Sequence, residues 1–366
     1  MKNLLILVLI ATGITTPQIE AKKEFSFTNN LCCNTKPLPA PEQQGVITIS
    51  ESGAYELSAN TQANIVITAN DVCLNLNGFT LTGLQSMTYP NAIAVKGKTG
   101  VTVQNGTIKN PGFTGVFFEQ CSNIKLTGLK IKPVEKAIIV KSSKYVCLDD
   151  IAVCGNSINT PGIITLDEND QVSLYKVIVS YNTIKRALAT FDGLVAISKS
   201  INMSIKDCSI SHNECQDSFQ FYTLFMTENN NVTLEDTYVN KNTVTFQGLS
   251  EGFNNAYIYM CATIKLAQCQ FNSATTTESL SCVGLTVVNS TDCHIKYCEA
   301  NNTTIKKAVP SLTGANVGAA GILITGLNID LIMDHCVAYH TAHIFNQPGQ
   351  LTLHGPKGIY LQNTSQ

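Results

Sequence analysis

The chain is 366 residues long and 44% hydrophobic, enough apolar material for a large core, which excludes a disordered chain and a coiled coil. Net charge is -2 from 24 basic and 26 acidic residues, and Arg186 is the only arginine, so the polybasic footprint of a nucleic-acid binder is missing. Charged residues make up only 14%, tryptophan is absent, and asparagine, threonine and serine are abundant, the profile of a protein built from strands and turns.

At the N-terminus, Lys2 precedes the apolar run Leu4 to Ile14 and a polar stretch ending Ile19-Glu20-Ala21, with a small residue where a signal peptidase cuts. Residues 1–21 therefore read as an export signal, because the run is shorter than the ~20 residues of a membrane-spanning helix. No later stretch of 18 apolar residues occurs. The mature protein is expected to be exported, whether periplasmic, cell-surface or secreted, and to carry no transmembrane helix. Residues 22–45 read as a leader or cap segment. Within it Cys32 and Cys33 are adjacent and bond to each other only with strain, which leaves them to partners elsewhere. The chain has 14 cysteines, but a disulfide framework belongs to small domains that lack a core. Most of the others fall on apolar positions of a repeat, where a cysteine acts as a small buried hydrophobe. No CxxC pair accompanied by histidines is present, so no metal site of the zinc type is expected.

From residue 46 to residue 366 the chain repeats itself. Val146-Cys-Leu-Asp-Asp-Ile-Ala-Val153, Val172-Ser-Leu-Tyr-Lys-Val-Ile-Val179 and Val232-Thr-Leu-Glu-Asp-Thr-Tyr-Val239 share apolar residues at offsets 0, 2 and 7. Ten copies follow from offset 0 at Leu74, Val101, Ile124, Val146, Val172, Met203, Val232, Ile264, Cys293 and Ile329. A second short strand precedes each copy at offsets -8 and -6, as in Ile93/Val95, Val116/Phe118 and Leu224/Met226; alternation with period two marks a strand. At offset -3 stands a small, mostly polar residue, Ser143, Asn169, Ser200, Asn229 or Ser290, as a tight bend requires. Each unit thus reads as strand, bend, strand, turn, short strand, turn. One unit cannot bury its apolar side alone, whereas copies stacked about 4.8 Å apart give a continuous core. Asn156, Asn182, Asn213 and Asn242 share offset 10 and are expected to form a structural amide ladder inside the coil. Spacings between copies run from 22 to 36, and all the variation falls in one turn. That turn lengthens through Thr243 to Asn255, Asn272 to Val283 and Thr303 to Ala320, and variable loops on a constant scaffold are where binding usually lives.

The opening segments Ile47-Thr-Ile-Ser-Glu-Ser-Gly-Ala-Tyr-Glu-Leu and Asn64-Ile-Val-Ile-Thr-Ala-Asn-Asp-Val-Cys-Leu-Asn-Leu-Asn-Gly-Phe-Thr-Leu-Thr-Gly83 lead into these copies. With them, residues 46 to 366 resemble right-handed parallel β-helix repeat proteins of the pectate-lyase-like superfamily, of the exported bacterial type. The fold expected is all-β, a single-stranded right-handed parallel β-helix, or solenoid, of about ten to eleven rungs, its handedness taken from the resemblance alone. The resemblance implies that the variable edge walls a groove for an extended polysaccharide. It is specific for fold and not for activity, since this architecture hosts lyases, hydrolases, epimerases and adhesins.

Candidate chemistry comes from carboxylates. Asp150, Lys176, Asp207 and Asp236 share offset 4 on consecutive copies, which puts Asp207 and Asp236 about 5 Å apart, a spacing that suits a retaining glycosidase pair or Ca²⁺. The plainer reading is a bend, since Asn105 and Gly128 stand at the same offset. Arg186, just after Asn182 at the start of a variable turn, is the one residue matching the basic proton acceptor of a pectate-type lyase. Of the polygalacturonase-like motifs only the pair Asp149-Asp150 is present, and there is no Gly-His-Gly. His335, His340 and His343 cluster late without metal-ligand spacing, and the tyrosines share no offset, so no aromatic platform is expected. The last strand-like segment is Gly358 to Thr364, and an eleventh offset 0 would fall one residue past the chain's end, as if the repeat were truncated or its end covered by a partner. The expected function is an exported scaffold that binds glycans or cell-surface partners through its variable edge without catalysis or cofactor. The alternative is a polysaccharide lyase or glycoside hydrolase using Asp150, Asp207, Asp236 and Arg186, with Ca²⁺ as its cofactor.

Overall fold

A computed structural model describes residues 32, 34–41, 45–84, 86–159, 162–185, 193–216, 220–250, 252–279, 281–306, 318–325, 329–339, 342–344 and 357–362. The expected export segment 1–21 and Arg186 lie outside these residues. Among the described residues every strand pairing is parallel. Of their strands twenty-six join one wrapped sheet and seven short ones a second strip, so the chain coils as a single-stranded parallel β-helix.

Each rung starts with a first strand whose alternate residues point inward. In this column Ile47 pairs with Ile65, Ile65 with Ile93 and Ile93 with Val116. It continues through Ile138, Ile164, Val195, Leu224, Ala256, Leu285 and Ile322 to Ile359, twelve positions in all. The second-strand column starts at Gly53 and passes through Val72 and Val101 to Cys293 and Leu331. At both ends the register differs from the expected one by two residues, because Val72 rather than Leu74 pairs with Val101, and Leu331 rather than Ile329 pairs with Cys293. The cause is that Val72, Leu74 and Leu76 alternate as evenly as Ile329, Leu331 and Met333, and a period-two pattern is unchanged by a shift of two. The column also begins one rung before the first counted copy, since Ile47 heads a short rung of its own.

Bends between strands are made by residues in the left-handed region. Asp150, Lys176, Asp207 and Asp236 have φ of 51°, 53°, 53° and 48°. Such a conformation costs an L-residue about 1 kcal/mol or more, and it is held here by stacking on the rungs above and below. After the next row of left-handed residues, Gly155, Tyr181, His212 and Lys241, the inward polar groups find partners in the next rung. Asn156 Nδ2 donates to Asn182 Oδ1 at 2.7 Å, Asn182 Nδ2 to Asn213 Oδ1 at 2.9 Å, and Asn213 Nδ2 to Asn242 Oδ1 at 3.0 Å. The same oxygens accept backbone N–H groups from the preceding rung. At the C-terminal end Ala274 takes the ladder position, and Asn255 reaches in from a corner to accept from Asn242 Nδ2 at 3.2 Å. A second line of buried polar groups stands at offset -3, where Ser143 N donates to Asn169 Oδ1, Asn169 N to Ser200 Oγ and Ser200 N to Asn229 Oδ1.

The variable turn is not all loop. Its first residues form the second strip, with strands Ser157–Ile158, Thr183–Ile184, Glu214–Gln216, Thr243–Ser250, Thr275–Ser279, Thr304–Lys306 and Ala342–Ile344. Between Thr243–Ser250 and Thr275–Ser279, Thr245 pairs with Thr277 and Ser250 with Ser279, so residues 246–249 oppose residue 278 alone. At the other end of the molecule, a disulfide joins Cys32 to Cys73 with a Cα separation of 5.4 Å, and Lys36–Pro37 adds a strand beside Gly53–Glu56. No helix among the described residues is long and apolar enough to cross a membrane.

Asn213→Ala should cost about 2–4 kcal/mol, since it removes the amide donor to Val179 O and Asn242 Oδ1, the latter keeping only the backbone N–H of residue 213, and leaves the backbone N–H of Asn182 without a partner. Thermal unfolding should register it as a clear drop in Tm. The surface ion pair between Lys96 and Glu119 is the control, and Lys96→Ala should leave Tm nearly unchanged.

Candidate functional site

On the first strand, residues next to the inward column face outward. One outward column runs Ala94, Phe117, Ile139, Thr165, Ala196, Phe225, Tyr257, Thr286 and Leu323. Its first four members are half-buried, whereas Ala196, Phe225, Thr286 and Leu323 are buried although they point away from the core. The change coincides with the rungs whose turns are long. Beside this column lies a second one, in which Tyr222 pairs with Asn254, Asn254 with Val283 and Val283 with Ala320. Val283, Ala320 and Leu323 form an apolar cluster separate from the interior one.

The two columns bring aromatic rings together. Tyr222 lies 5.0 Å from Phe225 at 18° and 4.5 Å from Tyr257 at 34°. Phe225 and Tyr257 are 5.9 Å apart, and Tyr257 and Tyr259 are 6.3 Å apart at 29°. Tyr222 and Phe225 are buried, while Tyr257 and Tyr259 keep part of their surface open. Burial pushes the Tyr257 phenol above its usual value, with Tyr259 adding to the effect. Next to the rings Thr286 Oγ1 donates to Asn254 Oδ1 at 2.6 Å. The sequence pattern predicts no aromatic platform, yet the rings meet, because outward residues of adjacent rungs are neighbours even when their offsets differ. The missed signal is the alternation within Gln220–Thr227 and Gly252–Tyr259, where Phe225, Tyr257 and Tyr259 occupy outward places.

The candidate aspartates stand elsewhere, at the bend after the second strand. Asp207 and Asp236 are partly exposed and Asp150 is exposed. Lys206 sits among them, its Nζ 3.1 Å from Glu235 Oε2. Its ammonium is held above the usual value first by that hydrogen bond and further by Asp207 and Asp236. Asp207 and Asp236 therefore face a surface ammonium on a row of left-handed bends. Among the described residues no group of three or more His, Cys, Asp or Glu is placed to hold a metal ion. His335 contacts Asp334 and stacks on Tyr297 at 5.0 Å, well exposed, and His340 lies outside the described residues.

No family model and no curated relative matches the chain. Among solved structures, the polygalacturonase from Erwinia carotovora ssp. carotovora aligns at 11% identity over 88% of this chain and 99% of its own, with a TM-score of 0.40. The A-module of the mannuronan C-5 epimerase AlgE4 from Azotobacter vinelandii aligns at 9% over 81% and 90%, with a TM-score of 0.34. The surface protein and adhesin PfbA from Streptococcus pneumoniae aligns at 10% over 87% and 91%, with a TM-score of 0.31. At these values the likeness says nothing about activity. The register of its own strands makes the chain a single-stranded parallel β-helix, the architecture that its sequence resemblance implied.

Proposed function

We propose that this chain is an exported, non-catalytic β-helix scaffold that holds a glycan, as part of a polysaccharide or a cell surface, against the outer face of its first-strand sheet. The observation that carries this reading is the four-ring cluster of Tyr222, Phe225, Tyr257 and Tyr259, standing among the rungs whose variable turns are long. Tyrosine supplies a flat apolar face for the C–H side of a sugar ring and a hydroxyl at its rim. Tyr222 and Phe225 form the rigid backing, and Tyr257 and Tyr259 offer the open edge. Asn254 and Thr286, already joined to each other, supply polar groups beside the rings, as ligand sites usually do. Binding of this kind uses no cofactor. Ca²⁺ enters only under the alternative, a lyase or hydrolase working through Asp150, Asp207 and Asp236, and the row of bends beside Lys206 speaks less for it than the rings speak for binding.

The test is to pass a panel of acidic and neutral polysaccharides over the immobilised mature chain, with and without Ca²⁺, while reading released reducing ends and unsaturated products. Retention of a glycan without cleavage is expected. Tyr257→Ala and Tyr259→Ala should each weaken it about tenfold, or about 1.4 kcal/mol, and Asp207→Ala should leave it unchanged. Cleavage that disappears in Asp207→Ala or Asp236→Ala would transfer the function to the aspartate column.

A further inference from the structure

A column of sulfur atoms runs inside the coil at the bend between second and third strands. Cys208, Thr237, Cys269, Cys298 and Cys336 occupy one place on five successive rungs, each directly after a left-handed residue, namely Asp207, Asp236, Gln268, Tyr297 and His335. Their Sγ or Oγ1 atoms contact the carbonyl two residues earlier, at 3.3 Å for Cys208, 3.0 Å for Thr237, 3.3 Å for Cys269 and Cys298, and 3.4 Å for Cys336. Thr237 interrupts the thiols, so only Cys269, Cys298 and Cys336 follow one another without a gap.

Cys269 and Cys298 are in register. The backbone N–H of Glu299 donates to Cys269 O at 2.9 Å, and the neighbouring residues Gln270 and Glu299 form a parallel bridge. Adjacent parallel strands lie about 4.8 Å apart, inside the Cα separation that a disulfide spans. The two neighbouring thiols act on each other, which holds Cys269 below the usual thiol value and pushes Cys298 above it. Isolated thiols in this coil behave otherwise, since burial raises Cys208 and Cys261 to about 11. Cys336 is partly exposed, and its thiol feels the backbone and the charge of Cys298. The Cys32–Cys73 bond shows that this chain already carries one disulfide.

We propose that Cys269 and Cys298 are joined by a disulfide in the oxidised protein, stapling two neighbouring rungs and closing the loop that carries the Thr275–Ser279 strand and its long turn. The oxidant is a small-molecule or protein disulfide. The Cys269 thiolate attacks one of its sulfurs, expelling one thiolate and leaving a mixed disulfide on Cys269. The Cys298 sulfur, its proton lost to that expelled thiolate, then attacks the Cys269 sulfur and releases the second half of the oxidant as a thiolate, which takes a proton from water. Two protein thiols are oxidised and one disulfide is reduced to two thiols. Because both sulfurs are buried in the closed coil, exchange takes place while the C-terminal rungs are still closing, and the register decides which pair remains joined.

The full chain, refolded in a glutathione redox buffer, is digested without reduction and its linked peptides are identified by mass spectrometry. A Cys269–Cys298 link is expected, present in Cys336→Ser and absent in Cys298→Ser. Oxidised wild type should also unfold several degrees above Cys298→Ser treated identically. A folded wild-type chain in which an alkylating mass tag added after unfolding labels both Cys269 and Cys298 would overturn the proposal, and so would a link from Cys298 to Cys336.

Discussion

The whole molecule depends on one constraint, the stacking of like positions about 4.8 Å apart in parallel register. Because each rung repeats the path of the one before, a buried polar group meets the same kind of group above and below. An amide satisfies both sides at once, which is why Asn156, Asn182, Asn213 and Asn242 can stand inside an apolar coil where a lone asparagine would cost several kilocalories. The same rule serves the serine and asparagine line at offset -3 and the sulfur line after the left-handed bends.

Parity was the legible part of the sequence. Apolar residues alternating with period two declare which face is inside, and the inward pairs from Ile93/Val95 to Leu285/Val287 stand where the pattern puts them. Register is less legible, because Val72 and Leu74, or Ile329 and Leu331, serve equally well as the inward residue and only backbone pairing chooses between them. The aromatic cluster was illegible for a related reason. Tyr222, Tyr257 and Tyr259 lie at different offsets, and Tyr222 falls outside the interior cluster despite the inward parity of its place. Proximity here is created by the third dimension of the stack, not by spacing along the chain.

Exterior and interior also follow different logic along the coil. Inward columns hold the same character from Ile47 to Ile322, as continuous burial demands. Outward first-strand residues change from half-buried in the early rungs to buried in the later ones, in step with turn length. Selection on the interior is thus uniform, while the outer face of Gln220–Thr227, Gly252–Tyr259, Ser281–Val288 and Gly318–Thr325 is free to specialise.

The strip along the variable edge has a practical meaning for engineering. Where residues 246–249 oppose residue 278 alone, pairing resumes at Ser250 and Ser279 as though nothing intervened, and the inward columns on either side keep step. A surplus of chain is shunted sideways there instead of being passed down the axis. That makes this bulge a natural port for display: a foreign epitope or affinity peptide spliced between Thr245 and Ser250 would be carried on the flank of a rigid rod, with its neighbours unaware of its length.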